Sequence, residues 1–246
     1  IISSCFLSSF SINSLRFLYK SNLTQALASG STGVLAIAAT CAGAGLIVGT
    51  VTLTGLGLKF SSIVIQYAGG SLLLTAIFTA LIVWIVGLAV PVTASYIICA
   101  VIAAPALINL GVPAFAAHMF IFYYAVLSEV SPPTALSPFA AAAITGGGPY
   151  RTTLQSWKYT MPAFLLPFMF VLDDAGQGLL LMGSIKRLAE ADWGAIATMT
   201  FTAALGIAAL AFGFQRWILR QANWIETGLL ITAGLALTYP SSYSDL

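Results

Sequence analysis

The chain has 246 residues, 59% hydrophobic and only 7% charged, with a formal net charge of +2. Soluble domains carry roughly 25% charged residues, so this chain has too few charges to coat a water-facing surface, and its mean hydropathy of +0.99 makes lipid its natural solvent. The nine basic residues are scattered and form no nucleic-acid patch, which argues against a nucleic-acid partner and, with the apolar composition, against a soluble enzyme.

Residues 1–33 are Ser-rich and mixed, with Arg16 and Lys20, and form an N-terminal segment to which the sequence assigns no order. The first strong apolar span runs from about Val34 to Leu58, long enough to cross ~30 Å of hydrocarbon, and Lys59 follows it. Two apolar halves come next, Ser71–Val86 and Val92–Leu110, separated by Gly87-Leu88-Ala89-Val90-Pro91. Ala114–Thr145 is again apolar but is interrupted by Ser128-Glu129-Val130-Ser131-Pro132-Pro133-Thr134. A loop with Arg151 and Lys158 leads to a span from about Tyr159 to Leu172, closed by Asp173-Asp174 as a solvated helix end. Residues 173–193 mix Leu, Met and Ile with Lys186, Arg187, Glu190 and Asp192, the pattern of a segment lying in the interface. Residues 194–246 hold two more membrane helices, about 194–214 and 224–239, flanking Arg216 and Arg220. The three cysteines, Cys5, Cys41 and Cys99, have no metal-ligand spacing and read as small apolar residues, with neither a disulfide framework nor a cofactor implied.

The interruptions carry the information. Each half-segment is about 15 residues, or about 22 Å as helix, too short to cross alone. Pro91, Pro132 and Pro133 lack an N–H and disfavour helix in the residue before them. Unpaired backbone at membrane depth is tolerated only where protein or a polar cavity satisfies it, so two Gly/Pro-interrupted apolar segments point to a transporter binding site. A simple proline kink is the alternative for Pro91. The expected arrangement is all-α and integral to the membrane, with a hairpin over about 71–110 and a broken helix over about 114–145 inside a membrane repeat spanning 34–172.

Charge placement gives an orientation. With 71–110 as a re-entrant hairpin and 114–145 as one broken crossing, Arg16, Lys20, Arg151, Lys158, Arg216 and Arg220 share one side, and Lys59, Lys186 and Arg187 the other. The positive-inside rule puts the first group in the cytoplasm. Two complete spans over 71–110 give the same parity, so charge alone leaves both readings open.

A broken helix exposes carbonyls at the end of its first half and N–H groups at the start of its second; the carbonyl end attracts cations and the N–H end carboxylates. Ser131 and Thr134 add hydroxyls there, and Gly87 and Thr93 add carbonyls and a hydroxyl at the other break. Such an all-oxygen set suits a hard cation such as Na⁺.

The run Gly87-Leu88-Ala89-Val90-Pro91-Val92-Thr93-Ala94-Ser95-Tyr96 resembles the hairpin tip of the large membrane subunit of TRAP transporters, as does Gly111-Val112-Pro113 through His118 and the stretch Phe122 to Leu136 that contains Ser-Glu-Val-Ser-Pro-Pro-Thr. Val51-Thr52-Leu53-Thr54-Gly55-Leu56-Gly57-Leu58-Lys59-Phe60 resembles the fused permeases that work with TAXI-type binding proteins. The resemblance covers about residues 30–240. It implies an elevator transporter of inverted repeats, in which Gly87, Ser128, Ser131 and Thr134 match positions that supply oxygens to an ion site. It further implies that this is the C-terminal half, with a remaining N-terminal permease repeat, a small-subunit region and a periplasmic TAXI-type substrate-binding protein as partners, in the inner membrane of a bacterium. Glu129 stands where the family more often has Asp, Ser131 where it has Thr, and the tip reads Gly-Leu-Ala-Val-Pro in place of Gly-Met-Gly-Leu-Pro.

Glu129 is the acid well inside an apolar run, and intramembrane carboxylates are costly and usually functional. A coupling role competes with a structural role at the break. His118 lies eleven residues earlier on the same helical face, which allows a proton relay to Glu129 as one reading. Tyr123, Tyr124 and the tryptophans, Trp84 included, read as packing or interface anchors. The function expected is a secondary transporter importing small organic acids on an ion gradient. A proton-coupled carrier using Glu129, or a truncated non-transporting fragment, are the alternatives; a channel lacks its repeated filter, and no catalytic constellation suggests an enzyme.

Overall fold

The computed structural model describes residues 20–172, 180, 193–218 and 220–238. The described chain is helical throughout, with no strand among these residues, and divides into two units, residues 1–46 and 47–246. The first unit holds most of helix α1 (Lys20–Thr54), which begins well before the apolar span expected from Val34. The interfacial segment expected over 173–193 lies, but for Leu180 and Trp193, outside the described residues.

In the second unit α1 ends at Gly55, whose φ of 68° is the left-handed conformation glycine adopts without strain. The axis bends there by 75° into α2 (Leu56–Tyr67). The span expected over 34–58 is therefore not one straight crossing. Its last residues belong to α2, and the expected reading gave that helix no place of its own.

Next come α3 (Leu72–Gly87), α4 (Val92–Ile102) and α5 (Ala104–Asn109). Ser71 caps α3, its hydroxyl accepting from the Leu74 N–H at 3.5 Å. Pro91 starts α4 and Pro105 sits in the first turn of α5, where a missing N–H costs least. The same Pro105 leaves the Val101 carbonyl without its i+4 donor. Gly57 of α2 packs on that carbonyl, and a Cβ there would lie 2.9 Å from it. Together Val92–Asn109 is 18 residues of apolar helix, long enough to cross a membrane, whereas α3 is shorter.

The centre of the unit is α6 (Ala114–Ser128), against which α3, α4, α5 and α9 (Leu166–Leu172) pack. Its inward positions are mostly small or aromatic. Ala116, Ala117 and Ala125 let neighbouring backbones come close, while Phe120, Ile121 and Tyr124 fill the space left. The Tyr124 hydroxyl donates to the Phe164 carbonyl, and its ring meets Phe120, Phe164 and Phe168 in tilted and edge-on contacts.

After the break at 129–135 come α7 (Leu136–Thr145) and α8 (Pro149–Thr160), then a 3₁₀ turn over Met161–Phe164 and α9. Two expectations are corrected here. The segment holding Arg151 and Lys158 is a helix, started by Pro149 after Gly146-Gly147-Gly148, and not a loop. Residues 159–172 are not a continuous span, because Pro162 and Pro167 divide them into a 3₁₀ turn and a seven-residue helix.

Helices α10 (Trp193–Gln215) and α11 (Trp224–Thr238) form an antiparallel pair whose backbones touch at glycines. A Cβ on Gly234 would sit 2.9 Å from the Gly206 carbonyl, and one on Gly213 2.8 Å from Ile231 Cγ1. The turn between them places the Arg216 guanidinium 3.9 Å over the Trp224 ring and pairs Arg220 with Glu226.

Candidate functional site

The two interruptions come together. Gly87, last residue of α3, lies so close to the end of α6 that a Cβ on it would be 2.4 Å from Ser128 Oγ and 2.7 Å from Ser128 Cβ. Only glycine fits. One turn before it, the Trp84 indole Nε1–H donates to Ser131 Oγ at 2.9 Å. The hairpin tip, residues 88–91, thus sits against the break in the long helix, residues 129–135, and between them is a cleft of about 150 Å³. Residues 87–91 form one wall, and Glu129, Thr134 and Leu136 the other.

The prolines determine the electrostatics of this cleft. In a continuing helix the carbonyls of Gly87, Ser128 and Glu129 would accept from residues 91, 132 and 133. All three are proline and have no N–H to give. The Ser128 carbonyl accepts instead from the Ser131 N–H at 3.1 Å. Among the described residues, no turn or loop N–H donates to the carbonyl of Gly87 or Glu129. Helices α3 and α6 therefore both end at the cleft with the negative poles of their dipoles and with free acceptors. Half-buried Glu129 and half-buried Thr134 line that cleft. A space of this size is ample for a cation with some of its water.

The two serines lie behind the cleft wall, fully buried. Ser128 Oγ donates to the Ala125 carbonyl at 2.7 Å and Ser131 Oγ to the Leu127 carbonyl at 2.8 Å. Pro91 lines the cleft, while half-buried Pro132 and exposed Pro133 shape the break itself. Thr93 is exposed on α4 and, like the two serines, does not line the cleft. Ser95, two residues on, is the buried hydroxyl near the tip. Its Oγ would be 3.3 Å from a Gly87 Cβ.

Two further readings are corrected. Trp84 is not simply a packing or interface anchor, since its N–H joins the hairpin to the break. An indole N–H in an apolar helix needs an acceptor, and that was the available signal. The relay from His118 to Glu129 has no support, because eleven residues of helix separate them by about 16 Å and His118 Nδ1 is hydrogen-bonded to the Tyr96 hydroxyl at 3.2 Å.

A larger cavity, about 350 Å³, lies between α3, α6 and the 160s, walled by Ile77, Leu81, Trp84, Trp157 and Phe164 among others. It is almost wholly apolar, so burying a carboxylate there would leave the charge without partners. The smaller cleft is also apolar over most of its wall, but Glu129 and Thr134 stand in that wall.

Neither comparison with curated proteins nor comparison with solved structures gives a match. Residues 4–172, well over half of the chain, match the family model described as "Tripartite ATP-independent periplasmic transporter, DctM component". The match takes in α1–α9, and with them both breaks and the cleft that they form. With its all-helical apolar architecture, the chain belongs to this family of integral membrane transporter components.

Proposed function

We propose that the chain is the ion-coupled part of a permease that imports small organic acids, delivered by a soluble substrate-binding protein of the TAXI type. The observation that carries this reading is the cleft between tip and break, where proline-freed carbonyls, Glu129 and Thr134 converge. In the proposed mechanism Na⁺ binds to the carbonyls of Gly87 and Ser128 with the hydroxyls of Ser131 and Thr134. Its charge then offsets the two helix C-termini and holds tip and break together. The ordered site shuttles across the inner membrane in an elevator motion, together with an N-terminal repeat and a small-subunit region. Arg151, Lys158, Arg216 and Arg220 face the cytoplasm.

Glu129 lining the cleft favours a second reading, a proton-coupled carrier. Binding of radiolabelled Na⁺ to the purified permease in nanodiscs, with uptake by proteoliposomes under a Na⁺ or a pH gradient, separates the two. Sodium coupling predicts that Ser131→Ala weakens Na⁺ binding and uptake at limiting Na⁺ by about tenfold, one ligand's worth, while Glu129→Gln retains part of the uptake. Normal uptake by Ser131→Ala at limiting Na⁺, with Glu129→Gln inactive, replaces sodium with the proton.

A further inference from the structure

Trp84 does not line the cleft, yet it reaches the break behind it. Its ring packs on the α3–α6 core and walls the apolar cavity. Its Nε1–H leaves that apolar surrounding to meet Ser131 Oγ at 2.9 Å. A serine hydroxyl has one donor and two acceptor sites, whereas an indole has a donor only. The Ser131 proton is committed to the Leu127 carbonyl at 2.8 Å and one lone pair to Trp84. The hydroxyl rotor is therefore fixed from both sides, with one lone pair left over. The Trp84–Ser131 bond crosses from α3 to the break, 47 residues apart in sequence. It lies one turn from the Gly87–Ser128 contact, so the tip is tied to the break at two successive turns of α3.

We propose that Trp84 is a positioning residue of the ion site: its indole N–H holds the Ser131 hydroxyl, and with it residues 128–134, in register with the tip at 87–91. The register claim stands on geometry alone; its consequence for ion affinity rests on the sodium reading above. Phenylalanine would keep most of the ring's packing and lose only the N–H. Replacing both partners by apolar groups leaves no orphan donor, so a bond-mediated role makes the pair non-additive.

The test compares Trp84→Phe, Ser131→Ala and the double variant in the permease in nanodiscs, reading amide hydrogen exchange and the half-saturating Na⁺ concentration. The expected result is that Trp84→Phe speeds exchange in residues 129–135 by roughly fivefold, as for one lost hydrogen bond, while α10 and α11 keep their rates. Half-saturating Na⁺ rises by a similar factor, and the double variant is no worse than Ser131→Ala. Should Trp84→Phe fail to fold, Ser131→Ala reads the same bond from its other partner through exchange in 129–135. Unchanged exchange in that segment, or effects that add in the double variant, overturns the proposal and leaves Trp84 a packing residue. Faster exchange in a permease that binds no Na⁺ upholds the register claim and sinks the sodium reading instead.

Discussion

Gly87 and Ser128 occupy adjoining space so closely that a Cβ on the glycine would overlap the serine side chain, at 2.4 Å from Oγ and 2.7 Å from Cβ. The serine cannot yield easily, because it is fully buried with its hydroxyl bonded to the Ala125 carbonyl. Gly87→Ala should therefore cost about 1–3 kcal/mol by overpacking, read as a lower unfolding temperature in detergent, and should separate tip from break. Adding Ser128→Gly removes both atoms in the way. The double variant is expected to recover most of the lost stability, less up to about 1 kcal/mol for a glycine in helix. A double variant no more stable than Gly87→Ala would mean that the contact is not what the glycine serves.

The α10–α11 pair gives a second, independent prediction. Gly234 has Leu210 Cγ 2.6 Å and the Gly206 carbonyl 2.9 Å from its would-be Cβ, whereas Gly228 on the same helix has open space. Gly234→Leu should force the helices apart and lower the unfolding temperature. Gly228→Ala should be neutral or should stabilise by up to about 1 kcal/mol, since alanine is the better helix former. Equal effects from the two substitutions would contradict the close packing.

What the sequence disclosed, it disclosed through residues whose backbone chemistry is local. Pro91, Pro132 and Pro133 mark the two breaks because a missing N–H is a property of the residue itself, and Gly87 stands next to one of them. The bend at Gly55 was hidden because Leu56–Tyr67 continues the apolar run, and hydropathy does not register a change of axis. Helix α8 was hidden for the opposite reason. Its Arg151, Thr152, Gln155 and Lys158 read as a loop by polarity, although Pro149 after three glycines is a helix-start signal. The partners of Ser131 and Gly87 depend on how helices distant in sequence pack. That is why the sequence singles out Thr93 and not the buried Ser95, and why it reads Trp84 only as an anchor.

Orientation is open to a labelling experiment. After Cys5, Cys41 and Cys99 are replaced by alanine, single cysteines at Arg151, Lys59 and Arg220 can be probed with an impermeant maleimide in right-side-out vesicles. All three native residues are exposed. Positions 151 and 220 are expected to be protected until the membrane is opened, and position 59 to react at once. Immediate labelling at 151 would reverse the assignment from the positive-inside rule.

The most direct test of the cleft is to return a donor to a carbonyl that proline has freed. In Pro91→Ala the new N–H stands four residues after Gly87 and can close the helical bond to its carbonyl. A cation would then have to compete for an oxygen already satisfied. Half-saturating Na⁺ is expected to rise by about tenfold, equivalent to ~1.4 kcal/mol. Pro113→Ala is the control. Pro113 also opens a helix, with φ −56° and ψ 141° against −57° and 152° at Pro91, but it does not line the cleft. Both substitutions remove the same ring from the same backbone conformation, so general loosening of a helix start should affect the two alike. A shift in Na⁺ dependence confined to Pro91→Ala is the signature of the freed carbonyl. Equal shifts, or none at Pro91, would mean that the Gly87 carbonyl takes no part in holding the ion.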